Sequence, residues 1–143
     1  MAIKIIDHNS NEYKQMVELR YNMLRKPLNL AFSLEELARE SEDILIGCFE
    51  DDKLEGCCLL TKTQDKYTLR LRQMAVLSGL QGKGFGKVLM TYAENIARDR
   101  GYRKISMHAR KNAVGFYEKM GYKIVSNEFI EITIPHYLME KEL

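Results

Sequence analysis

The sequence predicts an α/β chain of the mixed α+β kind: one central sheet holding antiparallel and parallel strands, flanked by about four helices. Three observations predict it. Short strand-like runs in the first half are separated by tight polar turns, which antiparallel pairing needs. Strand and helix patterns alternate after residue 76, which permits parallel pairing. A glycine-rich run, Gln81-Gly-Lys-Gly-Phe-Gly86, stands between a strand and an amphipathic helix.

The elements follow in order. Ala2 to Asp7 reads as a short strand. Asn9 followed by Glu12 has the spacing of a helix start, and Tyr13, Met16, Val17 and Leu24 then recur at helical spacing. Pro27 disfavours the helical region for Lys26 and is expected to end that helix. Ser33 with Glu36 marks a second, short helix to Arg39. Ile44 to Glu50 and Leu54 to Lys62 form a hairpin across Asp51-Asp52-Lys53. Thr63 to Lys66 turns into a longer strand, Tyr67 to Val76. The helix after the glycine run carries Phe85, Leu89, Tyr92, Ala93, Ile96 and Ala97 on one stripe and stops at Gly101. Lys104 to His108 is a strand, and Asn112 is expected to cap a helix bearing Ala113, Phe116, Tyr117 and Met120 up to Gly121. Tyr122 to Ser126 and Tyr137 to Glu140 close the chain as strands, joined by a loop around Pro135.

A length of 143 residues suits one domain, expected over 1–143. The 45% apolar and 29% charged fractions fit a globular chain with a sizeable core. Net charge is +2, which gives no reason to expect nucleic acid. Apolar runs fall short of the roughly 20 residues of a membrane span. Met1 to Ile6 shows no signal-peptide pattern, so the expected location is cytoplasmic. The basic residues crowd around Arg98, Arg100, Arg103, Lys104, Arg110 and Lys111, a solvated face or a site for a phosphate-rich ligand. Cys48, Cys57 and Cys58 form no ligand pair and read as reduced, buried side chains, so no metal is expected.

The glycine run has a physical purpose open to it. Glycine permits positive φ and lets backbone N–H groups approach a ligand, while a helix N-terminus adds unpaired donors and partial positive charge. Together they make an anion cradle, to which Lys83 and Lys87 add charge. The Walker pattern fails because Val88 stands where a hydroxyl belongs. The dinucleotide pattern fails because Lys87 replaces its third glycine. What fits is Gln81-x-x-Gly84-x-Gly86 entering a helix directly.

This pattern, after a strand ending Met74-Ala75-Val76, resembles the GNAT acyl-CoA N-acyltransferase superfamily. So does Asn112-Ala-Val-Gly-Phe-Tyr-Glu-Lys-Met-Gly-Tyr122, where the family carries an Asn and then a helix ending in Tyr-Glu-Lys-x-Gly-Phe/Tyr. The resemblance is strong from Tyr67 to Tyr122, and the order of elements extends it along the chain. It implies a sheet splayed near its middle, beside the strand ending at Val76, with a bulge there. It also implies acetyl-CoA as co-substrate, with the pantetheine arm along Met74, Ala75 and Val76. The pyrophosphate would sit on Gln81, Gly82, Lys83, Gly84, Phe85, Gly86 and Lys87, and Asn112 and Phe116 would meet the CoA arm. An amine would attack the thioester directly, with Tyr117 protonating the departing thiolate.

The acceptor is expected to be a small primary amine. Arg20 shares the stripe of Tyr13, Val17 and Leu24; it either snorkels or, with Arg25 and Arg72 as weaker candidates, binds an anion on the acceptor. His136 would border the acceptor pocket, and His108 stands near the Asn112 helix, but no residue is singled out as the base. The resemblance admits a homodimer. The competing reading from another class is a non-catalytic acyl-CoA sensor, which shares the loop and has no need of Tyr117.

Overall fold

A computed structural model describes all 143 residues. Its eight strands follow the order β1-β2-β3-β4-β5-β8-β6, with β7 paired to β8. The strands are β1 (Ala2–Ile6), β2 (Ile44–Glu50), β3 (Lys53–Lys62), β4 (Thr68–Val76), β5 (Lys104–Arg110), β6 (Lys123–Ile124), β7 (Phe129–Glu131) and β8 (Ile134–Glu142). The α-helices are α1 (Asn11–Arg20), α2 (Leu34–Arg39), α3 (Phe85–Asp99) and α4 (Val114–Lys119). The pairing is mixed: β1 with β2 and β2 with β3 are antiparallel, β4 with β5 is parallel, and β8 is antiparallel to β5, β6 and β7. The expected mixed α/β architecture is therefore present, with one strand more than the sequence indicated. The residues fall into two compact units, 1–61 with 73–93 and 62–72 with 94–143, so β4 changes unit at Gln73 and α3 at Glu94.

In the first unit the Asp51–Asp52 turn joins β2 to β3, with Asp51 at φ 52° and Glu50 opposite Lys53. Both faces of these strands are buried. Leu45, Cys57 and Leu59 pack with Ile6, Tyr13, Met16 and Leu19, which brings α1 onto one face. The cap of α1 is Ser10 rather than Asn9: its hydroxyl accepts from the Tyr13 N–H at 3.1 Å, while the Asn9 N–H donates to the Asp7 carboxylate at 2.9 Å. Ser33 caps α2 as its spacing predicts, accepting from the Glu36 N–H at 3.1 Å. Pro27 does not stop the chain abruptly. A π turn over Tyr21–Arg25 leads into a 3-10 turn, Lys26–Leu28, whose first residues need no N–H donor, and left-handed Asn29 ends it.

In the second unit, Gly101 and Gly121 end α3 and α4 in the same way. The Gly101 N–H donates to Arg98 O and the Tyr102 N–H to Ala97 O; Gly121 and Tyr122 repeat this on Glu118 and Tyr117. Both glycines sit at positive φ, 85° and 96°, which this closure needs. Asn112 does not cap α4. It lies inside a 3-10 turn, Lys111–Ala113, and the residue before the helix, Ala113, offers no side-chain acceptor. The loop expected around Pro135 is a hairpin instead, with Phe129 opposite His136 and Glu131 opposite Ile134.

Candidate active site

The end of β4 and the start of α3 lie together in the first unit. The parallel register of β4 with β5 runs from Thr68 opposite Lys104 to Leu71 opposite Met107. Two residues further, Gln73 takes φ 54°, a left-handed residue inside a strand. Met74, Ala75 and Val76 follow it. Gln81 spans back to this strand end, its Nε2 donating to Val76 O at 3.2 Å. Gly79, Gly82 and Gly84 have φ of 89°, 81° and 89°, and a Cβ at any of them would meet nothing within 4 Å. Their backbone conformation, not crowding, is what calls for glycine. The Val88 N–H donates to Gly84 O at 3.1 Å, so Gly84 is the residue from which α3 starts. Gln81, Gly82, Lys83, Gly84 and Lys87 are exposed, with Phe85 and Gly86 half-buried. The stretch thus combines exposed backbone at Gln81–Gly84, a helix N-terminus with its partial positive charge and two lysines, a combination suited to an anion.

Arg20 is not presented to any such ligand. It is fully buried, its Nη1 and Nη2 donating to the two carboxylate oxygens of Glu40 at 2.9 and 2.6 Å and its Nε to Gln73 Oε1 at 2.8 Å. The stripe of α1 that carries it faces the core, so the alternative of an acceptor-binding Arg20 is corrected. Arg25 is also engaged internally: Nη2 donates to Glu36 Oε2 at 2.6 Å, and the guanidinium lies 4.2 Å from the Phe32 ring centre. Arg72 is half-buried at the end of the first part of β4. Arg20 and Arg25 are thus both engaged within the fold.

In the second unit α4 holds Tyr117 with its ring buried, edge-on to Phe116 at 5.0 Å and to Tyr122 at 6.0 Å between centres. Tyr122 anchors this group. Its hydroxyl donates to Glu94 Oε2 at 2.9 Å, and Lys141 Nζ donates to Glu94 Oε1 at 3.0 Å and to Met120 O at 2.8 Å. Burial, and then the Glu94 carboxylate, hold the Tyr122 phenol far above its ordinary range. Asn112 is exposed and Phe116 is 38% exposed, so both could meet a ligand.

His108 and His136 lie on opposed strands of the same unit and share Glu131. His108 Nδ1 is 2.8 Å from Glu131 Oε1 and 2.9 Å from Arg70 Nη2. One nitrogen cannot donate to Glu131 and accept from Arg70 at once. Burial pushes the Glu131 carboxyl up, but the hydrogen bond with His108, helped by His136 and Arg70, outweighs it and holds the group below its ordinary range. His136 is buried, donates from Nδ1 to Ile134 O at 2.7 Å and stacks on Phe129. Its ring is committed to the hairpin rather than turned outward.

The family model for the acetyltransferase (GNAT) domain matches residues 14–143. This chain belongs to the GNAT acetyltransferase family. Among related GNAT sequences, the uncharacterized N-acetyltransferase YjcF of Bacillus subtilis is 30% identical over 141 residues, 96% of this chain and 98% of its own. The protein YyaT of Bacillus subtilis is 38% identical over 77 residues, 54% of this chain; the match spans about half of that relative, 52%. A crystal structure of an aminoglycoside 6′-N-acetyltransferase complexed with coenzyme A superposes with a TM-score of 0.85, covering 99% of this chain and 97% of that one at 20% identity, a likeness of fold.

Two site features of this GNAT chain were not fully legible from its motifs. The resemblance implies a bulge in the strand ending at Val76, but nothing local marks Gln73, neither glycine nor asparagine, as the residue that adopts a left-handed backbone there. Glu40, the partner of Arg20, lies beyond α2, and only the fold brings the two together. The cysteines behave as expected: all three are buried and unpaired, and burial pushes the Cys57 thiol up to about 12.

Proposed function

We propose that the protein transfers an acetyl group from acetyl-CoA to a primary amine of a small acceptor. The observation that carries the reading is the Gln81–Gly86 stretch, exposed from Gln81 to Gly84, left-handed at Gly82 and Gly84, and opening directly into α3. Family membership supports the reaction class. The coenzyme A bound by the aminoglycoside acetyltransferase of like fold supports the co-substrate, and the acceptor of that protein supports a small amine.

In this reading the backbone of Met74, Ala75 and Val76 pairs with the pantetheine arm as a sheet edge pairs with an added strand. The N–H groups from Gly82 to Gly86 and the charges of Lys83 and Lys87 hold the pyrophosphate, and Asn112 and Phe116 meet the arm. The neutral amine attacks the thioester carbonyl, forming the C–N bond, and backbone donors of β4 stabilise the oxyanion. Collapse breaks the C–S bond, the ammonium proton passes to water or a base, and Tyr117 gives its phenolic proton to the thiolate. Cys57 and Cys58 take no part, because a deeply buried thiol whose ionisation is opposed is no nucleophile.

The test is thiol release from acetyl-CoA with a panel of amines, for the wild type and Tyr117→Phe. Amine-dependent release that falls about 100-fold or more in the variant, the usual scale of a lost general acid, supports the proposal. Binding of acetyl-CoA with no release for any amine points to a sensor, and no binding at all refutes the reading of the loop.

A further inference from the structure

The first unit buries a complete ion pair. Arg20 is 0% and Glu40 1% exposed, and the Tyr13 hydroxyl donates to Glu40 Oε1 at 2.6 Å. Replacing such a pair with apolar residues is often neutral or stabilising, so stability alone explains it poorly. Its third contact suggests another use. Arg20 Nε donates to Gln73 Oε1 at 2.8 Å, and the opposite atom of that amide, Nε2, is buried without a hydrogen-bond partner. Only the oxygen can face an arginine N–H, so Arg20 dictates which way the amide turns and leaves its nitrogen unpaired.

Gln73 is also the single residue of β4 at positive φ. The other non-glycine residues with positive φ stand in turns: Asn29 after a 3-10 turn, Asp51 in the β2–β3 hairpin, Ile132 and Thr133 in the β7–β8 hairpin. An L-residue resists this conformation, which persists only where surrounding structure imposes it. Both unfavourable features, the left-handed backbone and the unpaired amide nitrogen, meet at the residue held by Arg20. The next three residues are Met74, Ala75 and Val76.

We propose that Arg20 is a positioning residue: the Arg20–Glu40 pair, braced by Tyr13, clamps the Gln73 amide, holds the left-handed turn in β4 and so aims the backbone that receives the pantetheine arm. This rests on the acetyl-CoA reading above. The charge is buried because a rigid, bidentate anchor fixes a strand more tightly than a mobile one.

The experiment compares acetyl-CoA with 3′-phospho-ADP, which keeps the phosphates and lacks the arm, by calorimetry. Arg20→Met with Glu40→Gln removes the clamp and leaves Tyr13 an acceptor. Arg20→Lys, which keeps Glu40 neutralised but has no Nε–H for Gln73, serves if the double variant fails to fold. Acetyl-CoA should bind about 10-fold more weakly, the loss of one or two backbone hydrogen bonds, with 3′-phospho-ADP unchanged. Adding Gln73→Gly, which takes positive φ unaided, should restore acetyl-CoA binding. Equal weakening of both ligands, no weakening, or no rescue by glycine overturns the proposal. A wild type that binds neither ligand refutes the acetyl-CoA reading instead.

Discussion

Tyr122→Phe tests how the tyrosine pair of the second unit is held. The substitution deletes one hydroxyl and keeps the ring that packs edge-on against Tyr117. The hydroxyl is buried with its residue, 2% exposed, and donates at 2.9 Å to a Glu94 carboxylate whose side chain is 6% exposed. A hydrogen bond to a charged group contributes about 1.5–3 kcal/mol. Glu94 still keeps Lys141 at 3.0 and 3.2 Å, so the carboxylate is not orphaned and the loss belongs in the lower part of that range. The expected destabilisation is about 2 kcal/mol, read in urea as a lower midpoint at unchanged slope. Thiol release should change little, because the Tyr117 hydroxyl is retained. The same contact predicts a pH dependence. Since the folded phenol ionises far above the unfolded value of 10.0, its contribution is complete below pH 10 and falls as pH rises beyond it. Tyr122→Phe should therefore lose less stability than the wild type between pH 9 and 11, roughly the window around a free phenol's pKa. A loss below about 0.5 kcal/mol, the scale of an ordinary surface change, with the same alkaline profile as wild type, refutes the reasoning.

Two further outcomes follow from backbone and burial. The two-residue turn of the β7–β8 hairpin places Ile132 at φ 50° and Thr133 at φ 62°, conformations that β-branched residues resist. Ile132→Asn with Thr133→Gly should stabilise the protein by about 1–2 kcal/mol in the same urea assay, and a loss would show that these side chains contribute more than their strain costs. Cys57, with its thiol pushed up to about 12 and no exposed surface, should not react with a thiol reagent at pH 8 until the protein is denatured; Cys48 and Cys58, equally buried, should behave alike.

Features set by short-range chemistry were legible in the sequence. Ser33 caps α2, Gly101 and Gly121 end their helices, and the two aspartates turn β2 into β3, because each depends on residues a few positions away. The glycines of the Gln81–Gly86 stretch announced a left-handed backbone, and Gly82 and Gly84 have one. The β7–β8 hairpin escaped because its turn, Ile132-Thr133, contains none of the residues that prefer such a turn. Asn112 misled for a related reason: a good capping side chain was read as a cap although a 3-10 turn carries it past that position. Arg20 was seen on the right stripe but its destination was open, since Glu40 and Gln73 lie 20 and 53 positions away and only tertiary packing selects them.

The order β5-β8-β6 has a consequence for synthesis. Residues 134–142 leave the ribosome after β5, β6 and β7, yet they are the strand on which all three of those pair. The second unit therefore cannot complete its sheet until residues 134–142 have emerged. Its earlier strands must wait with open edges, which makes this unit, rather than the first with its early β2–β3 hairpin, the part of the nascent chain most in need of protection from aggregation.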